Sequence, residues 1–184
     1  MNSSYKNKDI DYGDLIEAVT YSITPKTIIE IGILDGYSLM SFIDSTNKNT
    51  TKIFAYDIFD KFNGNHAKEY ELKDRFKNNH NVEIKYGDYY ELHNNIPNNS
   101  IDIIHIDIAN NGEVYEYAIQ KYLPKLSSKG VLILEGGSKD RDEVEWMNKY
   151  NKPKIQPIIE KYSKIYTIKN IGNHPSLTLI SSTR

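Results

Sequence analysis

A chain of 184 residues, 26% charged and 39% hydrophobic, is long enough for one sizeable core and too short for two, so a single domain over residues 1–184 is expected, with 1–22 as an N-terminal extension and helix. A formal net charge of -2 gives no electrostatic reason to expect a nucleic-acid partner, and the lack of cysteine excludes disulfides, thiolate metal sites and cysteine nucleophiles. No run approaches the length of a membrane span and the polar start at residues 1–11 has no apolar signal core, which points to a cytoplasmic protein with no membrane partner.

Residues 1–11 are expected to lie along the surface. From Tyr12 to Ser22 the apolar positions Tyr12, Leu15, Ile16 and Val19 share one helical face, and Pro25 stops that helix. Residues 27–31 form a short β-branched run of the kind that makes a buried parallel strand. Gly32 and Gly36 bracket the turn that follows, and Ser38 opens a helix over residues 36–44 with Leu39, Met40, Phe42 and Ile43 on its apolar side. A strand, a glycine turn and a helix let backbone N–H groups approach a ligand closely. The spacing, Glu30-x-Gly32-x-x-x-Gly36, is not a dinucleotide fingerprint, because Leu34 occupies the middle glycine position.

Residues 52–57 read as a second strand ending in Asp57. Ligands of an α/β sheet lie outside the carboxyl ends of its strands, so Asp57 would face the same crevice as the glycine turn. A carboxylate there can accept both hydroxyls of a ribose, or it can be a solvated strand-end acid, as Asp60 is expected to be. A helix over residues 67–78 should bury Tyr70, Leu72 and Phe76. Residues 82–86 alternate as a third strand, ending at Gly87-Asp88-Tyr89-Tyr90, where Asp88 is either an adenine contact or an ordinary turn acid. Tyr89 and Tyr90 are candidates to shape a pocket or to fill the core.

The fourth strand, residues 101–106, ends at Asp107, across the topological switch point from the first strand. This makes Asp107 the candidate reaction centre, with a helix-capping role as the alternative. His105 is either a hydrogen-bonded structural histidine or a general base. A helix over residues 113–122 and a turn over 127–130 lead to a fifth strand at 131–134, which ends in Glu135. Ser138 is placed to cap a charged helix over residues 140–150 carrying Trp146, residues 152–157 read as a proline-marked loop, and two last strands are expected near 162–168 and 177–181.

The Glu30–Gly36 turn resembles the first motif of the class I S-adenosylmethionine (SAM)-dependent methyltransferases, and the likeness spans roughly residues 23–181. Tyr56-Asp57-Ile58-Phe59-Asp60-Lys61 looks like the second motif of macrocin-type sugar O-methyltransferases. His105-Ile106-Asp107, followed by a helix and Leu123-Pro124-Lys125-Leu126 before Gly130-Val131-Leu132, is similar to the wider group of small O-methyltransferases that includes the catechol type. The resemblance implies an α/β fold: a Rossmann-like, doubly wound, seven-stranded sheet, mostly parallel, with an antiparallel C-terminal hairpin strand.

It also implies SAM as cofactor and O-methylation of a small sugar or phenol. Gly32 and Gly36 would admit the methionine portion, Glu30 and Ser38 would set the turn, Asp57 with Ile58 beside it would take the ribose, and Asp88 after Gly87 would take the adenine amine. Asp107 would stand next to the methyl as base or metal ligand, with Glu135 and His105 as further catalytic candidates. Catechol-type enzymes hold a divalent cation with an acid after the fourth strand and an Asp-Asn pair after the fifth. Asp107 and Glu135 are the corresponding ligands here, with Asn110 or Asn111 to complete the set for Mg²⁺, since Gly136 replaces the third.

Two departures matter: Asp107-Ile108-Ala109-Asn110 lacks the Asp-x-Asp-His of many relatives, and the Pro-Pro-Tyr signature of DNA-base methyltransferases is absent. A non-catalytic SAM-binding interaction or sensor module and a nicotinamide-dependent oxidoreductase are the competing functions. A homo-oligomer is compatible with either reading.

Overall fold

Short apolar runs separated by amphipathic segments assemble into one seven-stranded sheet in the computed structural model, which describes residues 11–182; the surface position expected for 1–10 lies outside the described residues. The strands are β1 (Thr27–Ile31), β2 (Lys52–Asp57), β3 (Val82–Tyr86), β4 (Ile101–Ile106), β5 (Leu126–Glu135), β6 (Tyr166–Ile171) and β7 (Leu177–Ser182). Their order is β3-β2-β1-β4-β5-β7-β6. β1 pairs in parallel with β2 and β4, β3 joins β2, and β5 joins β4. β7 runs antiparallel to both β5 and β6. This is the doubly wound sheet expected, and it gathers the carboxyl ends of β1 to β5 along one rim.

The central strands are buried on both faces, as β-branched parallel strands are. On one face, α1 (Tyr12–Ile23), α2 (Tyr37–Asp44) and α3 (Glu69–Arg75) pack Ile16, Phe42, Leu72 and Phe76 against Ile28, Ile53 and Ile103. On the other, α4 (Tyr89–Leu92), α5 (Gly112–Tyr117) and its wider continuation Ala118–Tyr122 pack Tyr89, Tyr115 and Tyr122 against Ile31 and Ile104. Among the described residues no helix is long and apolar enough to cross a membrane.

Several elements differ from expectation. β5 starts at Leu126 rather than Val131, because Leu126 already pairs with Ile101 and a register shift carries the strand past Gly130. Residues 140–150 divide into α6 (Lys139–Asp142) and α7 (Glu145–Lys149), separated by an extended Val144. The proline-marked loop contains the start of α8 (Gln156–Tyr162), with Pro157 in the first turn, where its missing N–H costs nothing. The Asp142 carboxylate accepts the Ile155 and Gln156 N–H groups, both at 2.8 Å, and fixes that helix start. The terminal hairpin accordingly begins at Tyr166. Tyr70 is 71% exposed, since the buried stripe of α3 runs through Leu72 and on to Phe76, one turn later.

At the opposite, amino rim, Asp102 Oδ2 accepts the Lys26 and Thr27 N–H groups at 2.7 and 3.1 Å, and Oδ1 accepts the Ser127 hydroxyl at 2.7 Å. Asp102→Ala is expected to lower the unfolding free energy in urea by about 1–2 kcal/mol while leaving ligand binding at the carboxyl rim intact.

Candidate active site

The turn after β1 is shaped by close approach. Gly32 donates its N–H to the Tyr56 carbonyl at 2.8 Å and has φ +92, and a Cβ there would overlap the Asp107 carbonyl oxygen. Gly36, with φ +78, opens α2, and a Cβ on it would come 2.8 Å from the Phe76 ring. Only glycine fits both positions. Leu34 between them is also left-handed, with φ 47, and its side chain points outward, 40% exposed.

Asp57 is buried and holds this turn in place. Its Oδ2 accepts the N–H of Ile33 at 2.8 Å and of Leu34 at 3.4 Å. Its Oδ1 accepts the N–H of Phe59 at 2.8 Å and the Asn65 side-chain amide at 2.7 Å. It is therefore not a solvated acid. With two donors already on each oxygen, a ribose hydroxyl would enter by taking the place of the Asn65 amide. Ile58, half-buried, leads into the short turn Phe59–Lys61.

Glu30, Ser38 and His105 form a sealed polar cluster beneath the turn. The Ser38 hydroxyl donates to Glu30 Oε1, and His105 Nδ1 lies 3.4 Å from the same oxygen. Glu30 and His105 face each other in the β1–β4 register, both are 0% exposed, and the Phe42 ring packs edge-on against the imidazole. Glu30 and Ser38 thus tie α2 to β1. His105 belongs to the same buried cluster and has no open side toward the crevice, which corrects its reading as a general base.

Asp107 leaves β4 with its N–H on the Ile31 carbonyl at 2.9 Å, half-buried beside Gly32. The cap of α5 is Asn111, whose Oδ1 accepts the Glu113 and Val114 N–H groups, so helix capping does not explain Asp107. The expected metal partners are otherwise engaged. Arg141 grips Glu135 with two hydrogen bonds, Nε to Oε1 at 2.7 Å and Nη2 to Oε2 at 2.9 Å. Asn110 is fully buried and donates its amide to the Ile106 and Glu135 carbonyls. Among the described residues no cluster of three or more His, Asp or Glu is arranged to hold a metal. The Mg²⁺ set of Asp107, Glu135 and Asn110 does not fit: the Glu135 carboxylate is neutralised by a guanidinium, and Asn110, fixed by its two amide donations, holds its Oδ1 toward the Ile108 N–H at 3.4 Å. Burial works against the Arg141 charge, but Glu135, with Asp107 further off, more than offsets it and raises the guanidinium pKa above its ordinary value.

Gly87 packs against the Tyr56 ring and donates its N–H to the Asp57 carbonyl. Asp88, half-buried, caps α4 by accepting the Tyr90 N–H on Oδ1 at 2.8 Å. Tyr89 turns inward, its hydroxyl on the Val114 carbonyl at 2.7 Å, and burial pushes its phenol pKa far up. Tyr90 stays at the surface, 51% exposed, against Tyr117. Gly32, Gly36, Asp57 and Asp107 therefore converge on one rim, with Asp88 at the neighbouring end of β3. Two residues of this region escaped the sequence reading. Asn65 sits in a polar loop, and its only signal was an Asx turn, its Oδ1 accepting the Ala67 N–H. Arg141 lay within a charged helix, with Glu135 six positions earlier across a Gly-Gly turn as its one hint.

Residues 29–135 match the sequence model of a methyltransferase domain, which covers more than half of the 184 residues. No curated protein matches the chain in sequence. Among solved structures, a putative caffeoyl-CoA O-methyltransferase from Staphylococcus aureus is 22% identical, with a TM-score of 0.65 over 97% of this chain and 86% of that one. The O-methyltransferase from Bacillus cereus in complex with S-adenosylhomocysteine (SAH) is 16% identical, with a TM-score of 0.68 over 98% and 84%. TomG from Streptomyces achromogenes, an O-methyltransferase of tomaymycin synthesis in complex with SAM, is 15% identical, with a TM-score of 0.67 over 97% and 82%. These likenesses show a common fold. Taken with the domain match, which runs from β1 through the glycine turn to the end of β5, they establish that the chain belongs to the methyltransferase domain family.

Proposed function

We propose that this chain is a single-domain, SAM-dependent O-methyltransferase acting on a small hydroxylated molecule, a sugar or a phenol. The observation that carries the reading is the convergence of the glycine turn, Asp57 and Asp107 at one rim, with Gly32 packed so tightly on the Asp107 backbone that no side chain fits between them. The solved O-methyltransferases of the same fold, two of them holding SAM or SAH by description, favour the same donor and an oxygen acceptor.

The cofactor supplies an already activated sulfonium methyl. The turn at residues 32–36 would receive the amino-acid portion, the Asp57–Asn65 edge the ribose, and Asp88 the adenine amine through Oδ2, which carries no hydrogen bond from the described residues. Asp107 would hold the acceptor hydroxyl in line and take its proton. In this scheme Glu30 and Ser38 hold the turn from below, and Ile58 borders the ribose.

The test pairs a thermal shift with SAM and SAH with methyl transfer from radiolabelled SAM to a panel of phenols and sugars. Stabilisation by both ligands together with label in an acceptor is the expected result. Stabilisation with no transfer to any acceptor would favour a sensor module, and stabilisation by NAD alone an oxidoreductase. Asp107→Asn should cut turnover by roughly 100-fold or more while SAM affinity stays within about threefold, because the loss falls on proton removal rather than on donor binding.

A further inference from the structure

Beyond Asp57 the chain doubles back over the rim. Buried Phe59 takes a left-handed φ of 49 and gives its N–H to Asp57 Oδ1. Residues 60–64 are exposed, with Phe62 56% accessible, and a Cβ placed on Gly64 would meet nothing within 4 Å. The chain returns to the core at Ala67, 3% exposed. Asn65, half-buried between these anchors, donates its backbone N–H to the Phe62 carbonyl at 3.0 Å and turns its side chain onto Asp57. Both ends of that amide are engaged: Oδ1 accepts the Ala67 N–H at 3.0 Å, which leaves Nδ2 to donate to Asp57 Oδ1 at 2.7 Å. His66 adds an exposed contact to the glycine turn, its Nε2 3.6 Å from Asp35 Oδ1.

The four donors on Asp57 are not equivalent. Those of Ile33, Leu34 and Phe59 are backbone groups of fixed turns, and Ile33 and Phe59 are buried. The Asn65 amide is carried by a side chain of an exposed loop. A carboxylate offers about four lone-pair sites, so a further hydroxyl is received only when one donor leaves. Releasing a buried backbone N–H strands it without an acceptor, whereas the Asn65 amide can swing out and be met by water.

We propose that Asn65 is an autoinhibitory latch on the donor site: its amide occupies the place on Asp57 Oδ1 that a ribose hydroxyl of SAM or SAH needs, and the loop at residues 60–66 must release it before either binds. This rests on the methyltransferase reading given above. The free protein is then a latched majority and an unlatched minority, and apparent affinity is reduced by the unlatched fraction. A charge-assisted hydrogen bond of this kind holds that fraction at roughly a tenth. The penalty is common to donor and product, so the latch loosens the hold on SAH after transfer as much as it weakens capture of SAM.

Calorimetric titration of the full chain with SAH tests this. Asn65→Ala should bind SAH roughly tenfold more tightly than wild type, while the free variant melts about 3 °C lower for the lost bond. The gain should shrink below about twofold for an SAH analogue lacking both ribose hydroxyls, because that ligand does not compete for Asp57. A residue that merely braced the loop would give no such dependence on the hydroxyls. Asn65→Asp keeps the size and an oxygen for the Ala67 N–H, so the loop retains its turn, but it sets a like charge against Asp57. It should gain at least as much SAH affinity, and it decides the matter if Asn65→Ala does not fold. SAH affinity in a folded variant equal to or below that of wild type would overturn the latch, as would an equal gain for the analogue without hydroxyls. If wild type and both variants bound no SAH, the donor reading would fall and the latch with it. If all three bound SAH alike, the latch alone would fall.

Discussion

Gly32→Ala should abolish measurable SAH binding and lower stability by about 3 kcal/mol. Two penalties coincide. At φ +92 the backbone is in a region that L side chains avoid, and the new Cβ would overlap the Asp107 carbonyl oxygen, with Ile108 Cγ2 close behind at 3.1 Å. Relief requires β1 and β4 to part at the very rim where the donor is to sit. Gly64→Ala separates the two penalties: its φ is +97, yet nothing lies within 4 Å of an added Cβ. It should cost only about 1 kcal/mol of backbone strain and leave SAH affinity unchanged. Urea denaturation and calorimetric titration of both variants would measure each part. Equal, small effects from the two would show that the contact between Gly32 and Asp107 carries no weight.

Asp57→Ala should be nearly as severe, at roughly 3–4 kcal/mol of stability and more than 100-fold in SAH affinity. The substitution strips the acceptor from four donors at once: the N–H groups of Ile33, Leu34 and Phe59, and the Asn65 amide. The first two belong to the glycine turn, so its shape is lost together with any direct ribose contact. Asp57→Asn keeps the size and turns one oxygen into a donor, opposing either the Ile33 or the Phe59 N–H. It should cost about 1–2 kcal/mol and still weaken SAH binding by roughly tenfold. If Asp57→Ala melted like wild type but bound SAH poorly, the acid would be a ligand contact alone and not the clasp of the turn.

Much of this was legible in the chain because local signals and tertiary demand agree. The runs at residues 27–31 and 101–106 are rich in β-branched residues, those at 52–57 and 82–86 alternate or are apolar, and all four, of strand length, became strands with those bounds. The acids at their ends met at the rim because parallel pairing leaves no other place for them. What escaped detection depends on partners distant in sequence. Whether a carboxylate binds a ligand or the chain itself is decided by what packs against it: Asp57 meets a turn 24 residues away, and Glu135 meets Arg141 across a Gly-Gly turn. α8 was missed because Pro157 reads as a breaker, although in a first turn it starts a helix, and the Asp142 carboxylate that anchors this start lies 13 residues upstream. Alternation alone could not show that His105 is sealed against Glu30 and Phe42 instead of open to the crevice.

A crystal structure of the chain with SAH bears most directly on whether these residues make one donor pocket. The expected result is SAH lying along the carboxyl rim, its amino-acid end on residues 32–36, its ribose at the Asp57–Asn65 edge, its adenine beside Asp88 and its sulfur facing Asp107. SAH seated at the amino rim near Asp102, or no bound SAH at millimolar concentration together with no heat of binding in solution, would contradict it.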